Sequence, residues 1–170
     1  MIKKILFAVV ICIAAVSANA QTLKFGNINT GEVFNAMPET AQVQKDMEDL
    51  QAKYETELTK MSEEYQNKVS GFLAEQENLE KNIAEARAQE IDQLQQRIAN
   101  FREMAARDLQ TQQQNKVAPI IEKINKAIAA VGEKNGFTYI FDISQGNILY
   151  FSPTQCTDCL PLVKAELGIK

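Results

Sequence analysis

Nine side chains recur along one stretch of the chain at a fixed rhythm: Val43, Met47, Leu50, Tyr54, Leu58, Met61, Tyr65, Val69 and Phe72. The steps between them run 4, 3, 4, 4, 3, 4, 4, 3, which sets them on one stripe of an α-helix. The repeat is eleven residues in three turns, so the seam it forms should be nearly straight or weakly right-handed. Pro38 and Glu39 suit the start of such a helix, the one by its fixed φ and the other by its charge at the positive end of the dipole. From Glu39 to Asn135 only Gly71, Pro119 and Gly132 interrupt a run dense in Glu, Gln, Lys and Ala, all good or tolerable helix formers. A single helix of that length would reach about 145 Å at 1.5 Å per residue. The stripe lapses after Leu73 and resumes at Ile91, Leu94, Ile98, Phe101, Ala105 and Leu109. A reversal near residues 78–90 is therefore expected, turning residues 39–118 into a helical hairpin arm.

A stripe of this kind is most simply the seam of a coiled coil. It is also narrow, and Met and Tyr stand where aliphatic side chains are usual, which fits a surface that meets varied partners. The glutamine-rich piece "LQTQQQN" reads as a solvated helix face.

The two ends of the chain change period. Residues 21–38 hold "LKFGNI", a short strand with Leu23, Phe25 and Ile28 as apolar contacts, and then a turn and a short helix. Residues 119–170 open on Pro119, which is expected to kink or break the helix. Beyond it Ile120, Ile121, Ile124, Ile128 and Val131 form a strong apolar face. After Gly136, "FTYIFDI" and "ILYFS" flank a turn at Ser144–Asn147 and read as a β-hairpin; "LPLVKAELG" reads as a closing helix. The fold class is α+β: a small body of about three strands carrying a long helical coiled-coil hairpin. Such a body is too small to bury a large core alone and leaves strand edges open. Oligomerisation through Phe25, Ile28, Ile140, Ile148 and Tyr150 would relieve both problems.

The first twenty residues set the compartment. Lys3 and Lys4, an apolar run and Ala18-Asn19-Ala20 match a cleaved secretory signal peptide, with Gln21 as the mature start; a retained anchor is the rival reading. Cys12 lies within that run, which leaves Cys156 and Cys159 as the mature chain's cysteines. The chain has no histidine and no second cysteine pair, so a zinc site lacks ligands. In an oxidising compartment the CxxC pair is expected to form a local disulfide, a C-terminal clip contributing about 2 kcal/mol.

Charge and composition exclude more. Removing the signal leaves 16 basic against 22 acidic side chains, a net of −6, which does not invite nucleic acid. The commonest general base is missing, and neither a nucleophile elbow, a phosphate-cradling glycine loop nor a metal-ligand set is present. No catalytic residue, metal or cofactor is expected.

Taken together, "KFGNINTGEVFNAMPE", the helical arm and "VAPIIEKINKAIAAVGEKNGFTYIFDISQGNILYFSP" resemble the Skp/OmpH-like family of periplasmic chaperones. The last piece is the most specific. The resemblance implies a jellyfish-like homotrimer whose helical arms enclose a cavity and hold unfolded outer-membrane proteins in the periplasm without ATP. It leaves room for transient contact with the membrane or the outer-membrane assembly machinery. Under it, Met47, Tyr54, Met61, Tyr65, Phe72, Phe101 and Met104 are the candidate client contacts. The sequence departs from the family in two ways. Residues 68–107 carry more acidic than basic side chains, where the best-known members are basic, and the CxxC stands where cysteine is unusual. Two other readings stay open: a structural coiled-coil spacer of the envelope, and a thiol–disulfide enzyme using Cys156 and Cys159.

Overall fold

A computed structural model describes residues 23–169; the expected signal peptide, residues 1–20, lies outside them. The chain order is β1 (Phe25–Ile28), α1 (Thr30–Ala36), α2 (Pro38–Glu75), a 3-10 turn (Gln76–Asn78), α3 (Lys81–Asn135), β2 (Tyr139–Asp142), β3 (Cys156–Asp158) and α4 (Leu160–Leu167). The fold is α+β, mostly helical with a three-stranded sheet. The chain divides into a sheet unit, residues 23–30 with 126–168, and a helical unit, residues 31–125.

In the sheet unit β1 lies between β2 and β3, and both pairings are parallel. The ladder extends past the strands: Thr138 N donates to Lys24 O at 2.7 Å, and Cys159 N to Asn27 O at 2.8 Å. Because side chains alternate along a strand, Gly26 and Ile28 share one face and Phe25 and Asn27 the other. The Gly26 face is closed by packing. A Cβ on Gly26 would lie 2.5 Å from Cys159 Sγ and 3.2 Å from Ile140 Cγ1, so only glycine admits them. The last turns of α3 reach the same face, where a Cβ on Gly132 would meet Ile140 Cδ1 at 3.7 Å. Lys134 of α3 pairs with Glu166 of α4 at 2.9 Å. Ile28, Val131, Cys159 and Val163 are fully or almost fully buried here.

Three expectations are corrected. Residues 137–152 do not form a β-hairpin: β2 ends at Asp142, residues 147–152 carry no regular structure, and the third strand is β3. Strand propensity needs a packed face and a pairing edge to express itself, and Leu149, 96% exposed, has neither. Pro119 does not break the helix, which runs unbroken from Lys81 to Asn135. The carbonyl that loses its partner belongs to Asn115, which is exposed, so water can take it up, while Ile120 and Ile124 beyond it are buried. Finally, the reversal comes early. It occupies the turn at Gln76–Asn78 and the two residues after it, with Leu79 extended. Ala84 and Ala88 then carry the half-buried stripe on to Ile91; these small side chains left the gap that read as a turn.

The helical unit is an antiparallel hairpin whose register is written in its cross-links. Glu39 pairs with Lys123 at 2.5 Å, Asp46 with Lys116 at 2.7 Å, and Glu75 with Arg87 at 2.6 Å. Each advance along α2 is matched by an equal retreat along α3. The structure ends its helices where the sequence provides: Gly136 follows α3 at φ +67°, and Gly168 follows α4 at φ +71°, the left-handed stop that glycine adopts at no steric cost.

Candidate functional site

All nine residues of the α2 stripe are half-buried, and α2 buries none of its residues fully. The α3 stripe sits deeper: Leu94, Ile98 and Ala105 are buried, Ile91, Phe101 and Leu109 half-buried. The two stripes face one another. Tyr54 meets Phe101 edge-on, with ring centroids 5.8 Å apart, and its hydroxyl donates to Asp108 Oδ2 at 2.6 Å. That bond, with some desolvation, pushes the Tyr54 phenol above its ordinary range. Paired lysines hold the carboxylates of Glu39, Asp46 and Glu90 below theirs, chiefly through the hydrogen bonds from Lys123, Lys116 and Lys68.

Two grooves open along this seam. One, of about 500 Å³, is lined by Phe34, Val43, Met47, Leu109 and Val117 together with several glutamines. The other, of about 370 Å³, runs past Tyr65, Gln95, Ile98 and Arg102. The candidate client contacts therefore divide. Met47 and Tyr65 line grooves; Phe72 lies among Lys68, Arg87, Glu90 and Ile91 near the turn. Tyr54 and Phe101 spend their rings on each other, and Met61 is half-buried in the stripe. Met104 stands off the seam, 53% exposed.

The sheet unit presents a different surface. On the face away from Gly26, the rings of Phe25, Tyr139 and Phe141 form a triangular cluster, each pair of centroids 5.8–6.4 Å apart. Phe25 and Phe141 continue into a hollow of about 320 Å³ shared with Ile148, Tyr150, Phe151 and Cys156. Tyr139 is 59% exposed and Tyr150 82%. The five residues expected to drive assembly are thus split between the two faces. Ile28 and Ile140 belong to the packed one; Phe25, Ile148 and Tyr150 belong to the open one. Tyr139, Phe141 and Leu149 were missed, although the alternation of "FTYIFD" against "KFGN" carried the signal for the first two.

Asp142 ties the end of β2 to the first residue of α1. Its carboxylate accepts from Thr30 Oγ1 at 2.6 Å and from Ser144 N at 2.9 Å. Burial alone would raise its pKa, but the bonds from Thr30 and Ser144 outweigh it and hold the carboxyl below the usual range.

In this arrangement Cys156 and Cys159 are not bonded to each other. The reason is the strand between them. Cys156 pairs with Phe25 and lines the open hollow, while the Cys159 sulfur packs over Gly26 on the other face. Burial first, then the neighbouring Asp158, pushes the Cys159 thiol up. Among the described residues no cluster of His, Cys, Asp and Glu could hold a metal ion, and no helix is long and apolar enough to cross a membrane.

The sequence model of one family, the OmpH-like outer membrane proteins, matches residues 24–167. No curated protein matches the chain. Among solved structures, a crystal structure described as a candidate outer membrane chaperone (OmpH-like) from Caulobacter crescentus shares the fold. Its TM-score is 0.74 at 12% identity, over 88% of this chain and 86% of that one.

Proposed function

Because the chain belongs to the OmpH-like family of outer membrane proteins, we propose that it is a periplasmic, ATP-independent holdase that binds unfolded outer-membrane proteins and prevents their aggregation. The observation that carries this reading is the state of the α2 stripe: nine apolar or amphipathic side chains in succession, all half-buried, none sealed. A filled coiled coil would bury its seam. A stripe left half-open offers many weak apolar contacts, and Met and Tyr can repack around different clients. Many exchangeable contacts give avidity without a deep pocket, so release needs no nucleotide.

Self-association fits the same reading. The open aromatic face, with Phe25, Ile148 and Tyr150 beside Tyr139 and Phe141, is the surface assigned to contacts between copies in a homotrimer. A contiguous exposed apolar patch on so small a unit is costly in water unless covered.

The test is a titration of a fluorescently labelled, unfolded outer-membrane β-barrel protein with the mature chain. Submicromolar binding without ATP is expected. Changing Tyr54, Met61 and Tyr65 together to Ser should weaken it by roughly tenfold, each single change contributing about 1 kcal/mol or less. Helix content measured alongside distinguishes lost contacts from a melted hairpin. Absence of binding by the intact chain would favour a structural spacer of the envelope instead.

A further inference from the structure

The two thiols lie three residues apart, Cys156 at the start of β3 and Cys159 just past its end at the N-cap of α4, and their side chains go to opposite faces of the sheet. Cys156 is half-buried on the open face beside Phe25 and Phe141. Cys159 is 0% exposed on the packed face, its sulfur filling the space over Gly26 and its amide bonded to Asn27 O. A disulfide needs the two Cβ atoms about 3.5–4.5 Å apart with the sulfurs between them, which the backbone of β3 forbids while it pairs with β1.

We infer that the Cys156–Cys159 disulfide and the β3–β1 pairing exclude each other, so that the pair is a thiol–disulfide switch acting on the third strand. With β3 paired, the sheet keeps both cysteines reduced. An oxidant of the disulfide class, such as glutathione disulfide, reaches Cys156 first. Its thiolate attacks one sulfur of the oxidant, forming a mixed disulfide and releasing one glutathione thiol. β3 then leaves β1, Cys159 comes off Gly26 and loses its proton, and its thiolate attacks the Cys156 sulfur and expels the second glutathione. Two protein thiols lose two electrons in all, and one oxidant disulfide becomes two thiols that carry away the protons. Burial raises the Cys159 thiol, which keeps it a poor nucleophile until the strand opens. Since Cys156 also lines the hollow with Ile148 and Tyr150, the oxidised form would alter the face assigned to self-association. That consequence rests on the reading above; the switch itself does not.

The experiment uses the mature chain in glutathione buffers of graded reduced-to-oxidised ratio, once folded and once in concentrated urea. Disulfide is counted by mass after thiol trapping, and amide hydrogen exchange is read across residues 156–159. Because folding to the paired sheet is linked to the dithiol state, the folded chain should need a ratio at least tenfold more oxidising than the unfolded one. Wherever the disulfide does form in the folded chain, protection at residues 156–159 should vanish while α3 stays protected. Cys156→Ser should keep that protection in every buffer. Equal ratios for the two states, a disulfide with β3 still protected, or lost protection in Cys156→Ser would each overturn the inference. None of these readouts depends on client binding.

Discussion

The sheet unit and the helical unit bury apolar side chains in opposite ways. The sheet unit concentrates burial in a few sites: Ile28, Cys159 and Val163 are at most 1% exposed. It leaves its other face open, with stacked rings in water. The helical unit spreads much of its burial thinly along two stripes, most of whose residues are half-buried, and seals only scattered positions such as Val33, Met37, Leu94, Ile120 and Ile124. A concentrated core makes each residue matter and fixes one arrangement. A distributed seam makes each of its half-buried residues dispensable, which fits the proposed accommodation of different chains.

Substitutions at the packed face should have the largest effects. Ile28→Ala removes a side chain that is 1% exposed and should cost about 2–5 kcal/mol in urea unfolding of the mature chain. Gly26→Ala comes next, at about 1–3 kcal/mol, because the added carbon lands on Cys159 Sγ. Pairing it with Cys159→Ala should recover part of the loss; no recovery would mean that the Gly26–Cys159 contact is not what the glycine serves.

Asp142→Asn should cost about 1–2 kcal/mol, the scale for a hydrogen-bonded carboxylate that loses its charge. The sign of its pH dependence follows from the depressed pKa. Its stabilisation is present above the unfolded carboxylate pKa, near 4, and is lost as pH falls through the lower folded value. Acid unfolding of wild type below about pH 4 should thus be steeper than that of Asp142→Asn. Parallel curves would remove Asp142 from the account of the sheet unit.

In the seam the effects should be small, and one should be of opposite sign. Tyr54→Phe gives up the bond to Asp108 but keeps the ring on Phe101, and should cost about 0.5–1 kcal/mol. Gly71→Ala should stabilise the hairpin by up to about 1 kcal/mol, since a Cβ there meets nothing within 4 Å. A loss of several kcal/mol at either position would mean that the seam is a packed core, and the contrast between the units would fail.

What could be read in the sequence follows the same division. Periodicity exposed the helical unit, because the eleven-residue stripe is long enough to be unambiguous, and it misplaced the turn only where Ala84 and Ala88 stood in for large side chains. Caps were legible too: Pro38 opens α2 as expected, and a glycine, Gly136, follows the end of α3. The sheet was harder. β3 is three residues, Cys-Thr-Asp, with no apolar pattern; it is a strand because β1 offers it an edge. "ILYF" has the stronger propensity, yet it lies in a segment without regular structure. The same short strand bears on the cysteine spacing: CxxC suggests a clip, whereas the paired strand holds its two thiols on different faces. The candidate client residues were chosen by chemistry, which could not tell that Tyr54 already answers to Phe101 and Asp108.

The proposed division of labour is tested most directly by refolding. An outer-membrane β-barrel protein is diluted from urea into buffer without nucleotide, with and without the mature chain, at low and at high salt, and aggregation is followed by light scattering. The account predicts suppression in both buffers and only modest weakening by salt, since apolar contacts on a net acidic hairpin carry the binding. Unchanged scattering would contradict the holdase reading, and suppression that disappears at high salt would show that charge, not the half-open seam, captures the client.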